Sequence, residues 1–222
     1  MRSSFFVLFI VVFIFSACDK KGTNPDTNPQ ESYLNTNAGS SWTYHEDNSS
    51  GITPTSSNYT VTSTSRDSTI SGRKYHIYDY SYGGSQYLSH SDNDYYQYDS
   101  ITIAGNDYLQ RLYLKDNLSS GANWSQNVNL TISNIPVTLV ISNTIAEKGI
   151  NKTVNGINYT NVTHVTSNLT SVLIPAGLSS NIDSYYAPNY GLIENTTIVK
   201  LNFLGLSENV NVTTKLMSAN LK

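Results

Sequence analysis

Apolar residues recur at every second position over much of this chain and almost never at helical spacing. Successive strand side chains point to opposite faces, so a period of two buries one face and leaves the other wet. A helix would instead need apolar residues at i, i+3, i+4 and i+7. Val128-Asn129-Leu130-Thr131-Ile132 alternates without a break, and residues 137–146 form a longer apolar strand. Residues 59–62, 75–82, 95–103, 108–115, 158–173, 192–203 and 208–217 are further strand candidates. Breaks such as Ser71-Gly72, Gly83-Gly84 and Leu204-Gly205 separate them. The sharpest is Asn155-Gly156, because both residues of a two-residue hairpin turn adopt φ > 0 and Asn-Gly tolerates that best. The expected fold class is all-β: an antiparallel sheet, sandwich or partly open barrel of about 10–12 strands. It occupies one domain, residues 33–222.

The chain before that domain has a different character. Arg2 is followed by an apolar run, residues 5–15, that is too short to span about 30 Å of hydrocarbon comfortably. The run ends in Phe15-Ser16-Ala17-Cys18, and this order of charge, apolar core, small residues and cysteine resembles a bacterial lipobox. The resemblance implies that residues 1–17 are a lipoprotein signal peptide and that Cys18 carries acyl chains such as palmitate. At about 0.8 kcal/mol per buried CH₂, two or more chains hold a protein stably on a membrane. Residues 18–32 contain no aliphatic side chain and two Asn-Pro steps, so they read as a solvated linker. The expected partner is the lipid bilayer of a bacterial cell envelope, with the outer membrane favoured over the inner. Asp19, next to the anchor, is an inner-membrane retention signal only in some bacteria.

Removing residues 1–17 takes Arg2 with them, leaving 12 basic against 16 acidic side chains. Such a chain lacks the basic clusters that a nucleic-acid backbone demands. Charged residues are only 13%, and Asn, Ser and Thr take their place. Cys18 is the sole cysteine, so no disulfide staples the domain. Phe203 is the only Phe outside the leader, against 17 Tyr, so the aromatic surface is almost all phenol. Rings with a polar tip suit half-wet sheet faces and sugar-binding surfaces alike.

Tyrosines concentrate between residues 75 and 98. His76, Tyr78, Tyr80 and Tyr82 fall at steps of two and share one strand face, as do Tyr96 and Tyr98. Beside Asp79, Asp92, Asp94 and Asp99, these rings are candidates to stack on sugars while carboxylates take the hydroxyls. The plainer reading is a cross-strand tyrosine ladder. Ser91-Asp92-Asn93-Asp94 has closely spaced oxygens but lacks the later Gly and Glu of a calcium loop, so it reads as a turn. His45, His76, His90 and His164 show no metal spacing, and His164 is expected to face solvent or a polar pocket. No nucleophile elbow frames a Ser-His-Asp set. Neither a metal, a cofactor nor an enzymatic reaction is expected.

Two segments carry a resemblance. Gly39-Ser40-Ser41-Trp42-Thr43-Tyr44 matches a Gly-x-x-Trp-x-Tyr opening, and Tyr185-Tyr186-Ala187-Pro188-Asn189-Tyr190-Gly191-Leu192-Ile193 matches a Tyr-Tyr-Ala-Pro segment closing in Gly-Leu-Ile. With the Asn155-Gly156 hairpin between them, they resemble a group of uncharacterised envelope lipoproteins of Gram-negative bacteria. The resemblance implies a β-rich domain at the envelope and carries no known reaction. Physically, Trp42 and Tyr44 anchor a first strand in the core. Pro188 ends pairing, Gly191 turns the chain, and Leu192-Ile193 re-enters the sheet. The expected function is non-catalytic: binding a glycan or partner protein, with structural support included. The alternative is a lipid or hydrophobic-ligand carrier whose cavity is lined by residues such as Val137, Leu139 and Ile141. A hydrolase ranks below both.

Overall fold

The computed structural model describes residues 32–101, 107–132 and 134–222, so the leader, Cys18 and residues 19–31 lie outside the described residues. The described chain is all-β. In order, the strands are β1 (Ser41–Asn48), β2 (Thr55–Ile70), β3 (Arg73–Tyr80), β4 (Ser85–Ser91), β5 (Asp94–Ile101) and β6 (Asp107–Lys115). They continue with β7 (Asn123–Ile132), β8 (Ile135–Val154), β9 (Ile157–Thr170), β10 (Leu178–Ala187), β11 (Gly191–Phe203) and β12 (Leu206–Asn220).

All twelve form one antiparallel sheet in the order β6-β5-β4-β3-β2-β1-β12-β11-β10-β9-β8-β7. The chain runs up and down through neighbouring strands, and β1 pairs with β12 from Ser41↔Asn220 to Asn48↔Val212. The sheet curls into a nearly closed barrel whose seam lies between β6 and β7. Side chains of β7 bridge that seam. Gln126 Oε1 accepts the Leu112 N–H at 3.0 Å, its Nε2 donates to the Gln110 carbonyl, and Trp124 Nε1 donates to the Leu112 carbonyl at 3.0 Å. One primary amide and one indole thus do for β6 what a neighbouring backbone does elsewhere.

Turn chemistry places the strands as the sequence predicts. Asn155 and Gly156 have φ of 49° and 80°, and Ser71-Gly72 repeats that pair of values. Gly191, at φ 70°, opens β11 after the chain leaves β10 at Ala187. Two strands escape the sequence reading. In β4, the polar pattern Ser-Gln-Tyr-Leu-Ser-His-Ser hides a strand. In β10, the inward residues Ile182, Ser184 and Tyr186 mix polar with apolar because they line a cavity. The β8–β9 ladder carries three register shifts between Ile145 and Lys152. Such bulges bend a hairpin, and this one reaches past β10: Lys152 pairs with Glu194 of β11 at 3.2 Å, and Asn155 Nδ2 donates to the Leu216 carbonyl of β12 at 2.7 Å.

Residues 32–40 cross one end of the barrel. Tyr33 receives a bond at each end, its N–H meeting Tyr95 Oη at 3.3 Å and its hydroxyl meeting Thr163 Oγ1 at 2.9 Å. The Asn35 carbonyl accepts from Tyr78 Oη at 2.8 Å, and Gly39 N–H donates to the Ser63 carbonyl at 2.8 Å. This plug packs on Tyr95, Leu114, Ile145, Val165 and Tyr186. Toward the far end, an aliphatic cluster of Val128, Leu130, Ile132, Val137, Leu139, Leu169 and Leu201 fills the β7–β11 side solidly. Each fully buried side chain of this kind contributes about 1.5–3 kcal/mol. A third cluster, around Trp42, Tyr44, Tyr78, Ile193 and Leu216, joins first and last strands as expected of Trp42 and Tyr44.

Candidate functional site: the barrel lumen

Between the plug and the aliphatic cluster lies a cavity of about 490 Å³. Volumes of this order suit a small organic ligand, and such sites combine apolar lining with a few aimed polar groups. Strand alternation gives the cavity three chemically different walls. Strands β1–β3 supply aromatic rings, from Trp42, Tyr44, Tyr59, Tyr78 and Tyr80. Strands β4–β6 supply Gln86, Gln97, Asp99 and Arg111. Strands β8–β12 supply Ile141, Leu169, Ile182, Val199 and Val210, with Asn143, Asn195 and Thr197 among them.

The polar wall is internally wired. Gln97 Nε2 donates to Asp99 Oδ2 at 3.0 Å, and Arg111 Nη2 donates to Gln97 Oε1 at 2.9 Å. The Gln97 amide therefore holds an anion and a cation apart while orienting both. Two lumen residues carry buried donors, Trp42 Nε1 and Asn143 Nδ2, with no partner among the described residues. Leaving a buried donor unpaired costs about 1–3 kcal/mol, so each is a point at which an incoming acceptor would gain.

The aromatic wall is a connected stack. Tyr44 lies over Tyr59 at 5.5 Å between ring centroids, and Tyr80 over Tyr82 at 4.9 Å. Trp42 meets Tyr78 edge-on at 5.9 Å. Burial pushes the phenols of Tyr44, Tyr59, Tyr78 and Tyr80 well above their ordinary range, and raises Tyr95 to about 12. Neighbouring phenols add to the effect at Tyr44 and Tyr80, and Glu46 adds to it at Tyr59. These hydroxyls stay neutral donors at any physiological pH. Their folded pKa values lie above the unfolded one, so their contribution is whole below pH 10 and is lost as pH climbs through the folded values, near 12 for Tyr95. Circular dichroism followed against pH is expected to hold to about pH 10 and then collapse cooperatively, with tyrosinate absorbance rising in the same step. Early ionisation of the whole tyrosine set with the fold intact would contradict the buried wall.

The predicted site residues divide. Tyr78 and Tyr80 face the lumen, and Tyr82 stands exposed in the β3–β4 turn, stacked on Tyr80. Tyr96 and Tyr98 do not join them. Gln97 and Asp99 take the inward positions of β5, which sends Tyr96 and Tyr98 to the other face. There Arg73 sits 3.4 Å over the Tyr96 ring, and Tyr98 stacks on Tyr108 at 5.7 Å, a cross-strand ladder as the plainer reading held. Of the carboxylates, Asp99 alone lines the lumen; Asp79 pairs with Arg66 and Asp94 with Lys115, both at 2.5 Å. Asp92 forms the β4–β5 turn at φ 58°, and no metal-binding group of acidic, His or Cys side chains occurs among the described residues. Of the expected carrier residues, Ile141 lines the cavity, while Val137 and Leu139 lie in the solid cluster. Cys18 lies outside the described residues.

Sequence reasoning missed the polar wall, since Gln97, Asp99 and Arg111 have no motif and meet only through strand pairing. It also named neither the partners of His164 nor those of His76. His164 lies between Glu147 at 3.1 Å and Asp183 at 2.9 Å and stacks on Tyr185, the polar pocket foreseen for it. His76 bridges Ser63 Oγ and Asp67 Oδ1, each at 2.9 Å. That order of groups is the order of an activated serine. Ser63 is only 2% exposed, however, its backbone is bonded to Gly39 and Ser40, and the cavity lining includes neither Ser63 nor His76. In this fold the chain braces the bulge of β2 between Ser63 and Asp67.

The fold and cavity together define a single-sheet antiparallel barrel, plugged at one end, with a lumen sized for a small ligand. No family model matches the sequence, and no curated protein matches it. Two solved structures are similar. A candidate lipoprotein from Parabacteroides distasonis ATCC 8503 shares 11% identity at a TM-score of 0.47, over 86% of this chain and 99% of that one. A candidate exported protein with a YmcC-like fold from Bacteroides fragilis NCTC 9343 shares 10% identity at a TM-score of 0.48, with the same coverage of 86% and 99%.

Proposed function

We propose that this protein is an envelope lipoprotein, anchored through Cys18, that holds a small amphipathic molecule inside its barrel without transforming it. The observation that carries the reading is the lumen of about 490 Å³ with one polar, one aromatic and one aliphatic wall. A hydroxyl-rich head group fits against Gln86, Gln97, Asp99 and Arg111. A sugar ring stacks on Tyr59 or Tyr80, and an apolar part runs along Leu169, Val199 and Val210. A glycan-bearing lipid has all three parts, which unites the glycan and lipid-carrier expectations. A folded protein partner cannot enter such a space.

Native mass spectrometry of the protein, released from its envelope in mild detergent, tests the reading. Wild type is expected to carry an added small-molecule mass. Thr197→Trp, which fills the lumen, is expected to lose it, and Arg111→Met to retain it at least about tenfold less well, since a hydrogen bond to a charged group is worth about 1.5–3 kcal/mol. Wild type that is bare, and that takes up neither envelope lipid nor glycolipid on titration, would remove the proposal.

A further inference from the structure

The two ends of the barrel differ in chemistry. Because the strands run up and down, the β1–β2, β3–β4, β9–β10 and β11–β12 connections lie at the end away from the plug. Their residues are 49–54, 81–84, 171–177 and 204–205, and none is Asp, Glu, Lys, Arg or His. The charged residues nearest to these turns, Asp47, Asp79 and Glu208, stand back in the strands. At the other end, Asp92 and Asp116 lie in the turns, and Arg73, Lys74, Asp94, Lys115 and Lys148 lie close by.

The end away from the plug is also where the most exposed aliphatic side chains among the described residues stand. Ile52, Val172, Leu173 and Leu204 occupy three of the turns at 104%, 93%, 56% and 62% exposure. Tyr82 and Tyr108 stand beside them, also exposed. Leu204 is held at φ 50° in its turn with Gly205. Asn or Gly is the usual residue there, because a branched side chain resists the left-handed region. The turn holds the Leu204 side chain out at the barrel tip, and its exposure, unfavourable in water, is relieved if the side chain leaves water.

We infer that this end of the barrel is a lipid-docking face, with the four aliphatic side chains seated below the head groups and Tyr82 and Tyr108 at their level. Uncharged turn tips are what a hydrocarbon boundary requires, the carboxylates set back in the strands stay at or above the head groups, and tyrosine rings settle at the interface. The tether permits it. This second argument rests on the Cys18 anchor proposed above; the surface chemistry does not. From Cys18 to Ser32 is 14 residue steps, about 46–50 Å when extended. The 13 residues of β11, which lead to Leu204, cover about 43 Å. A fully extended tether leaving the plugged end is therefore just long enough for the far end to reach the membrane that holds the anchor.

The mature protein, incubated with vesicles of phosphatidylethanolamine and phosphatidylglycerol bearing nitroxide-labelled lipids, tests the inference. A fluorescent amino acid is placed at position 172 or 204, or at position 93 in the opposite end. Reporters at 172 and 204 are expected to shift blue and to be quenched at least threefold more than the one at 93. Val172→Asp with Leu204→Asp is expected to abolish quenching of a reporter at position 52; circular dichroism checks that these exposed turns leave the fold intact. Equal quenching at both ends overturns the inference. So does shielding at 172 and 204 without vesicles, accompanied by dimers on sedimentation, because a second copy would then be the occupant. Flotation with the vesicles reports the tether separately, so anchor and docking face fail independently.

Discussion

Trp42→Ala is expected to lower the unfolding free energy by about 3–5 kcal/mol, the range for removing a buried large aromatic. Trp42 is 5% exposed, packs edge-on against Tyr78, and sits on β1, the strand that joins the two ends of the chain. Its loss hollows the wall where β1, β2 and β3 meet. In a domain of this size the melting temperature should drop by roughly 6–20 °C. Thermal unfolding by circular dichroism checks it, and Trp42→Phe should recover most of the loss by refilling the wall. A fall of under 1 kcal/mol would mean that β1 is not anchored through this side chain.

Gln126→Leu is expected to open the seam. Leucine keeps the volume and removes the amide, so the Leu112 N–H and the Gln110 carbonyl lose the partners that Gln126 supplies. At about 1–3 kcal/mol for each buried group left unpaired, the loss is about 2–4 kcal/mol after partial access to water. The local readout is sharper than the global one. Amide exchange at Leu112 should accelerate by about 30-fold or more, while exchange in β11 and β12 follows global stability alone. Exchange at Leu112 no faster than in those strands would show that the seam is held by something else.

The architecture was legible where local chemistry decides it. Alternation in residues 128–132 and the Asn155-Gly156 turn correspond to β7 and to the β8–β9 hairpin, at φ values an Asn-Gly pair adopts readily. The site was legible in part. Steps of two brought His76, Tyr78 and Tyr80 to one face, and the structure puts Tyr78 and Tyr80 in the lumen wall. Tyr96 and Tyr98 share a face with each other as expected, but it is not the lumen face, because strand periodicity says which residues share a face and not which face turns inward. A register shift between Tyr95 and Tyr96 further separates the two tyrosine sets. Arg111 and Asn143 are far apart in the chain and look like ordinary surface residues until the sheet closes around them. A lumen needs polar residues at inward positions, and those same residues blur the apolar rhythm by which strands such as β10 would be found.

The pairing of β1 with β12 has a consequence for the making of the molecule. β1 needs β12 as its neighbour, so one flank of β1 stays bare until β12 has been made. Of the strand pairings this one has the longest separation in sequence, which slows assembly and leaves a sticky border waiting meanwhile. A nascent chain cut short before residue 206 would present that border permanently and is the form of this protein most inclined to self-associate.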